Sequence, residues 1–196
     1  DTLQNFSPIA CNIVGLIEGN DPNLKNEFVI FGAHYDHIGI TKSSIANDSI
    51  NNGANDDASG VVAVMEIARY FAKHKNNKRS ILIAFFAAEE AGLIGSEHLA
   101  KKLKKSNLDL YTMLNFEMIG VPMKANHTSY VTGFSRSNIS EKINHYAEKN
   151  LVGYLPMEFQ YQLFMRSDNF PFFLEFNVPC HAISTFDFKN FSYYHH

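Results

Sequence analysis

Side chains able to hold a metal or move a proton recur where apolar runs of this chain end. Gly32-Ala33-His34-Tyr35-Asp36-His37-Ile38-Gly39 follows Phe28-Val29-Ile30-Phe31, Glu89-Glu90 follows Ser80 to Ala88, and Glu117 follows Tyr111 to Phe116. Asp56-Asp57 lies within Gly53-Ala54-Asn55-Asp56-Asp57-Ala58-Ser59-Gly60, ahead of an amphipathic stretch. Imidazoles and carboxylates are ligand types for zinc, and a carboxylate left over can act as a base. A histidine with a carboxylate two residues on, here His34 and Asp36, pairs a ligand with an orienting partner. Alternation along one strand would put these two on one face and Tyr35 and His37 on the other, making His37 the least suited of the three to bind the metal. Each group also has a plainer reading: a strand-end histidine can be structural, Asp before a helix is a cap, and Glu89-Glu90 can begin an exposed loop.

These groups need elements to bring them together. The runs at 28–33, 80–88 and 111–120 predict buried strands, the second covered on both faces. Residues 10–18 predict a strand joined to the next by the turn Glu18 to Asn23, as a hairpin. Thr41 to Asn55 reads as a long polar surface loop. The spacing predicts a helix to about His74 with Val62, Met65, Ala68 and Tyr70 inward, and another from Ser96 to Lys105 with Leu99 and Leu103 inward. Further on come a short strand at 129–132, a helix over 137–150 with Ile139, Ile143 and Tyr146 on one face, and an irregular aromatic stretch at 154–164. A helix over 172–176, capped by Asp168 and with Pro171 in its first turn, leads to a last strand at 178–185. Strand-to-helix alternation implies α/β architecture in three layers, with His34, Asp56, Glu89, Glu90, Glu117 and a terminal histidine at one sheet edge. Two histidines and three or more carboxylates suit two zinc ions bridged by one carboxylate.

At 196 residues the chain suits a single domain, 1–196. A net charge of -3 argues against nucleic acid or an anionic membrane as partner. No stretch reaches the roughly 20 apolar residues of a membrane span, and Asp1 opens no charged n-region and apolar h-region, as expected where a signal peptide has been removed or lies outside this sequence. Cys11 and Cys180 could form a disulfide or stay as two thiols. Asn47, Asn126, Asn138 and Asn190 begin Asn-x-Ser/Thr triplets, acceptors only in a eukaryotic secretory route.

The ordered pieces GAHYDH, GANDDASG, AAEEAGLIGS, NFEMIG and RSDNFPF resemble the co-catalytic zinc exopeptidase family of the secreted bacterial leucine aminopeptidases, glutamate carboxypeptidase and the glutaminyl cyclases. The likeness runs from about Val14 to the last residue. It implies a mixed, mostly parallel sheet between helices, two zinc ions and hydrolysis of peptides from one end; the expected activity is that of a zinc aminopeptidase acting at the N-terminus, in an extracytoplasmic location. By motif, His34 would bind one zinc with Asp36 orienting it, and Asp56 would bridge both ions. Glu90 would bind the other, Glu89 would be general base, Glu117 would complete the first ion's shell and His195 the second's. Tyr194 and Arg166 match positions that help hold substrate or its oxyanion, and Asp57 and Asp168 match supporting groups.

Glu117 stands where the family usually has Asp, one methylene longer. His195-His196 could be a tag remnant, although Tyr193-Tyr194-His195 fits the family's Tyr-His pattern. The family's usual C-terminal loop and helix are missing from this sequence. A single-zinc glutaminyl cyclase and a non-enzymatic protease-like binding domain are the alternatives to a zinc aminopeptidase.

Overall fold

The computed structural model describes residues 10–45 and 48–195. The acceptor residue Asn47 and the terminal His196 lie outside the described residues. In chain order come β1 (Ile13–Ile17), β2 (Glu27–His34), β3 (Gly39–Ile45), β4 (Asp48–Asn51), α1 (Ser59–His74), β5 (Ser80–Phe86), α2 (Ile94–Lys105), β6 (Asp109–Phe116), β7 (Ser129–Val131), α3 (Ile139–Ala147), β8 (Val152–Gly153), α4 (Glu158–Tyr161), α5 (Asn169–Phe176) and β9 (Cys180–Ser184). Seven strands form one sheet in the order β1-β5-β2-β6-β9-β7-β8. β5, β2, β6 and β9 run parallel, while β1 and β7 are antiparallel to β5 and β9.

The apolar runs become these parallel strands because both sheet faces are covered. On one face Ile30, Leu82, Phe86, Leu110 and Met113 pack with Leu99 of α2 and Phe172 of α5. On the other, Ala33, Ile81 and Ile83 pack with Val64 of α1. The result is the three-layer α/β/α arrangement. Parallel strands share one C-terminal edge, so His34, Glu89-Glu90 and Glu117 arrive together.

Several sequence expectations are corrected. β1 pairs with β5 and not with β2, so there is no opening hairpin. The turn at Glu18 to Asn23 instead carries the chain past the start of β5, where the Ser80 hydroxyl accepts the Gly19 N–H. The described residues of the polar stretch after Gly39 include the β3–β4 pair. In α1, Val62, Met65 and Tyr70 are exposed, and Gly60, Val64, Ala68 and Phe71 face the sheet. Val61-Val62-Ala63-Val64-Met65 is apolar all round, so its periodicity does not set the inward face, and packing against the sheet does. Tyr146 on α3 is likewise exposed. The aromatic stretch at 154–164 holds α4 and a 3-10 turn. Cys11 is exposed and Cys180 buried, and both are free thiols. No helix among the described residues is long and apolar enough to cross a membrane.

Candidate metal centre and its cleft

β2 ends at His34, whose side chain is fully buried. Its Nδ1 lies 3.0 Å from the Asp36 main-chain carbonyl, an acceptor, so Nδ1 carries the proton and Nε2 presents a lone pair. Nε2 is buried without a hydrogen bond, 3.0 Å from Asp56 Oδ1 and 3.4 Å from Glu117 Oε1. Three acceptors thus face one another in a dry space. Such an arrangement requires a cation: a proton on Nε2 or a metal ion. Burial alone would push the His34 imidazole down, but the charge of Glu117 and the carboxylates of Asp36 and Asp56 override it and hold the pKa far above the ordinary value.

The orienting part expected of Asp36 is divided. Its main-chain carbonyl holds His34, whereas its carboxylate, 3.7 Å from Nδ1, accepts the N–H groups of Glu89 and Glu90 at 3.0 and 3.2 Å. Burial would raise this carboxyl, and the His34 side chain with the two backbone N–H groups lowers it below its usual value. Asp36 therefore ties the turn after β5 to the end of β2, which places both glutamates.

A π-turn over Ala54–Ala58 leads into α1 and carries Asp56 and Asp57, joined by a cis peptide. Asp57 Oδ1 accepts from Gly60 N and Met118 N at 3.1 and 3.0 Å. A Cβ at Gly60 would collide with the Phe116 carbonyl and the Asp57 carboxylate, so only glycine permits this approach. With Asp57 fixed, Asp56 projects between two donor groups. Its Oδ1 faces His34, and its Oδ2 lies 3.5 Å from His195 Nε2 and 4.0 Å from His37 Nδ1. Glu90 Oε2 stands 3.7 Å from His195 Nε2.

Glu117 follows β6. Asn115 donates to the Ser167 hydroxyl at 2.8 Å, and Ser167 donates to Glu117 Oε2 at 2.8 Å. That chain holds Oε2 and leaves Oε1 toward His34. Asn115 and Ser167 were missed in the sequence. The signal for Asn115 was a polar residue at an inward position of a buried strand, and Ser167 stood inside the RSDNFPF piece without a role.

His37 is a correction. Alternation placed it on the opposite face, but β2 stops at His34, and beyond a strand's end the period of two no longer applies. Its Nδ1 lies 2.8 Å from Glu90 Oε1. Among the described residues, ligand-type atoms converge in two groups, His34 with Asp57 and Glu117, and His37 with Asp56 and Glu90. Donors held by one tetrahedral zinc at about 2.0–2.1 Å stand roughly 3.3 Å apart. The His34–Asp56, His34–Glu117, His195–Asp56 and His195–Glu90 separations of 3.0, 3.4, 3.5 and 3.7 Å bracket that value. The residues therefore fit two zinc-sized sites sharing Asp56, one bounded by His34 and Glu117 and the other by Glu90 and His195.

Beside them opens a cavity of about 470 Å³, with Glu89, Met118, Leu163, Met165, Arg166 and Phe186 among its walls. Glu89 belongs to neither donor group, and burial, then the charge of Glu117, pushes its carboxyl up to about 9. Burial and Asp56 raise Glu90 as well. Tyr194 stacks on His195 and Phe186 at the cavity wall, and burial pushes its hydroxyl up to about 12. Arg166 is the cationic side chain of Lys or Arg type lining the cavity among the described residues.

Asp168 stands at the start of α5 without capping it through its side chain, contrary to the expectation. It is fully buried with neither carboxylate oxygen in a good hydrogen bond, and burial pushes it up to about 7 against the pull of Ser96 and His34. A folded-state pKa above the unfolded one means that the folded chain binds the extra proton, so stability falls as pH rises from about 4 through 7. Asp168→Asn should remove that loss. In urea titrations of zinc-free protein, the variant should gain ~2–4 kcal/mol relative to wild type on going from pH 4 to pH 8. An equal offset at both pH values would refute the assignment.

Comparison with known proteins follows the same outline. The sequence pattern described as peptidase family M28 matches residues 12–196. Over 108 residues the chain is 38% identical to a probable zinc metalloprotease of Pyrenophora tritici-repentis, covering 55% of this chain and 24% of that protein. Over 141 residues it is 30% identical to leucine aminopeptidase 1 of Ajellomyces capsulatus, covering 68% of this chain and 36% of that protein. The crystal structure of the Legionella pneumophila LapA aminopeptidase superimposes with a TM-score of 0.65 at 26% identity, covering 94% of this chain and 46% of that one. The chain thus spans from 24% to 46% of the length of these relatives.

Proposed function

The chain belongs to peptidase family M28, and from that premise we propose that it is a zinc-dependent aminopeptidase that uses two ions and removes residues from the N-terminus of peptides. The observation that carries this reading is the buried, unpartnered Nε2 of His34 facing Asp56 and Glu117, with Asp56 turned by its other oxygen toward His195. His34 and Glu117 would hold one ion, Glu90 and His195 the other, and Asp56 both. Bound zinc supplies Lewis acidity that brings a water toward neutral pKa and polarises the scissile carbonyl.

The rest is the work of the chain's own side chains. Glu89, on the cavity wall outside both donor groups, takes the proton of the attacking water and returns it to the leaving amine. The Tyr194 hydroxyl, kept protonated by burial, donates a hydrogen bond toward the oxygen on which charge develops, and Arg166 adds positive charge to the same wall. Met118, Leu163, Met165, Phe186 and Phe188 give the cavity an apolar lining that suits an apolar N-terminal side chain.

A panel of aminoacyl anilides tests the reading. Chromophore release should be fastest with leucyl, methionyl or phenylalanyl substrates, abolished by a zinc chelator and restored by zinc. Cyclisation of an N-terminal glutaminyl peptide without anilide hydrolysis would replace this reading with the cyclase.

A further inference from the structure

Each outer carboxylate of the centre has one oxygen aimed at the donor group and the other held by the protein. For Glu117 the holder is Ser167 on Oε2. For Glu90 it is His37, whose Nδ1 lies 2.8 Å from Oε1 while Oε2 looks toward His195. That distance is a hydrogen bond and is shorter than the roughly 3.3 Å between donors of one tetrahedral zinc. The 4.0 Å from His37 to Asp56 Oδ2 is longer than that spacing. These two distances fall on either side of the 3.0–3.7 Å range of the donor pairs above, and the shorter one is a hydrogen bond by which the imidazole holds Glu90. An ionised carboxylate only accepts, so Nδ1 is the protonated nitrogen.

His37 is itself held firmly. Its side chain is 11% exposed and its ring meets the His195 ring edge-on at 6.1 Å. Behind it stands Gly53, in the left-handed region with φ +68, where an added Cβ would lie 3.1 Å from His37 Cβ and Cγ. Gly53, in the segment after β4, thus leaves the imidazole room that a larger residue would take.

We propose that His37 is a positioning residue for Glu90: its Nδ1–H takes Oε1 out of competition, so that Glu90 offers the single oxygen Oε2 to the ion it would share with His195 and Asp56. The assignment rests on the two-ion reading above. It is tested by zinc binding, through competition with a chromogenic chelator, in the full chain as wild type, H37A, H37N, E90A and E117A, with thermal melting as the check on folding. Wild type should hold two ions. H37A should bind one of them about 10- to 100-fold more weakly and leave the other within about threefold, the pattern known for losing an outer partner of a ligand. The weakened ion should be the one that E90A removes, while E117A removes the other. H37N, whose side-chain amide can place an N–H near the position of Nδ1, should recover most of the lost affinity, and E90A/H37A should be no weaker than E90A.

Wild type holding fewer than two ions overturns the two-ion reading and this assignment with it. Two ions in wild type, with H37A unchanged, weakened equally at both, or not rescued by H37N, overturns the role of His37 alone.

Discussion

Changing Glu89→Gln should lower turnover roughly 10²- to 10⁴-fold, about 3–5 kcal/mol of barrier, while leaving zinc content at the wild-type value. The side chain lines the cavity but contributes to neither donor group, so its loss removes no ligand. Its main chain is pinned by the N–H bond to Asp36, and glutamine keeps both size and position while being unable to hold the proton. In the zinc-free chain burial and Glu117 push this carboxyl up to about 9, a proton-holding state at neutral pH. Cations bound in the two proposed sites would act in the opposite direction and release it as a base. The check is kcat at saturating substrate beside metal analysis of the same sample. Retention of more than a tenth of wild-type turnover, with both ions bound, would remove Glu89 from the chemistry. Loss of zinc would make it a ligand.

The sequence showed most clearly what burial on both faces writes into it. Phe28 to Phe31, Ser80 to Phe86 and Tyr111 to Phe116 are apolar without alternation because helices cover both sides of those strands, and the carboxylates that end them mark the common edge. Partners in the sheet were less legible. β1, Ile13-Val14-Gly15-Leu16-Ile17, is apolar apart from one glycine, so nothing in its pattern chooses between β2 and β5, and it pairs with β5 at the edge of the sheet. α1 was mis-phased because five successive apolar residues carry no helical period. His37 was misplaced by carrying strand alternation three residues beyond the strand's last residue, where the chain turns back and brings it against Glu90. The Asn115–Ser167–Glu117 chain joins residues 52 apart, a pairing that no local pattern encodes.

The largest effect on metal binding belongs to Asp56→Asn. Asp56 alone among the described residues presents one oxygen to His34 and the other to His195, at 3.0 and 3.5 Å. Loss of Glu90 or Glu117 should weaken one ion each, whereas the amide, which puts a neutral group and an N–H donor between the two sites, should weaken both. Activity should fall at least as far as in the Glu89 variant. Stability gives a second signature. Without zinc, Asp56 raises the carboxyls of Asp57 and Glu90 but also stands 3.0 Å from His34, whose charged imidazole it supports. Asparagine removes both effects, which oppose each other, so chelated variant and chelated wild type should melt close together. With zinc at 100 times its dissociation constant, each bound ion adds about 2.7 kcal/mol to wild type and little to the variant, so the two should separate. Melting curves with chelator and with zinc, run on both proteins, measure this separation directly. Parallel shifts of the two proteins on adding zinc would show that Asp56 is not shared between the ions.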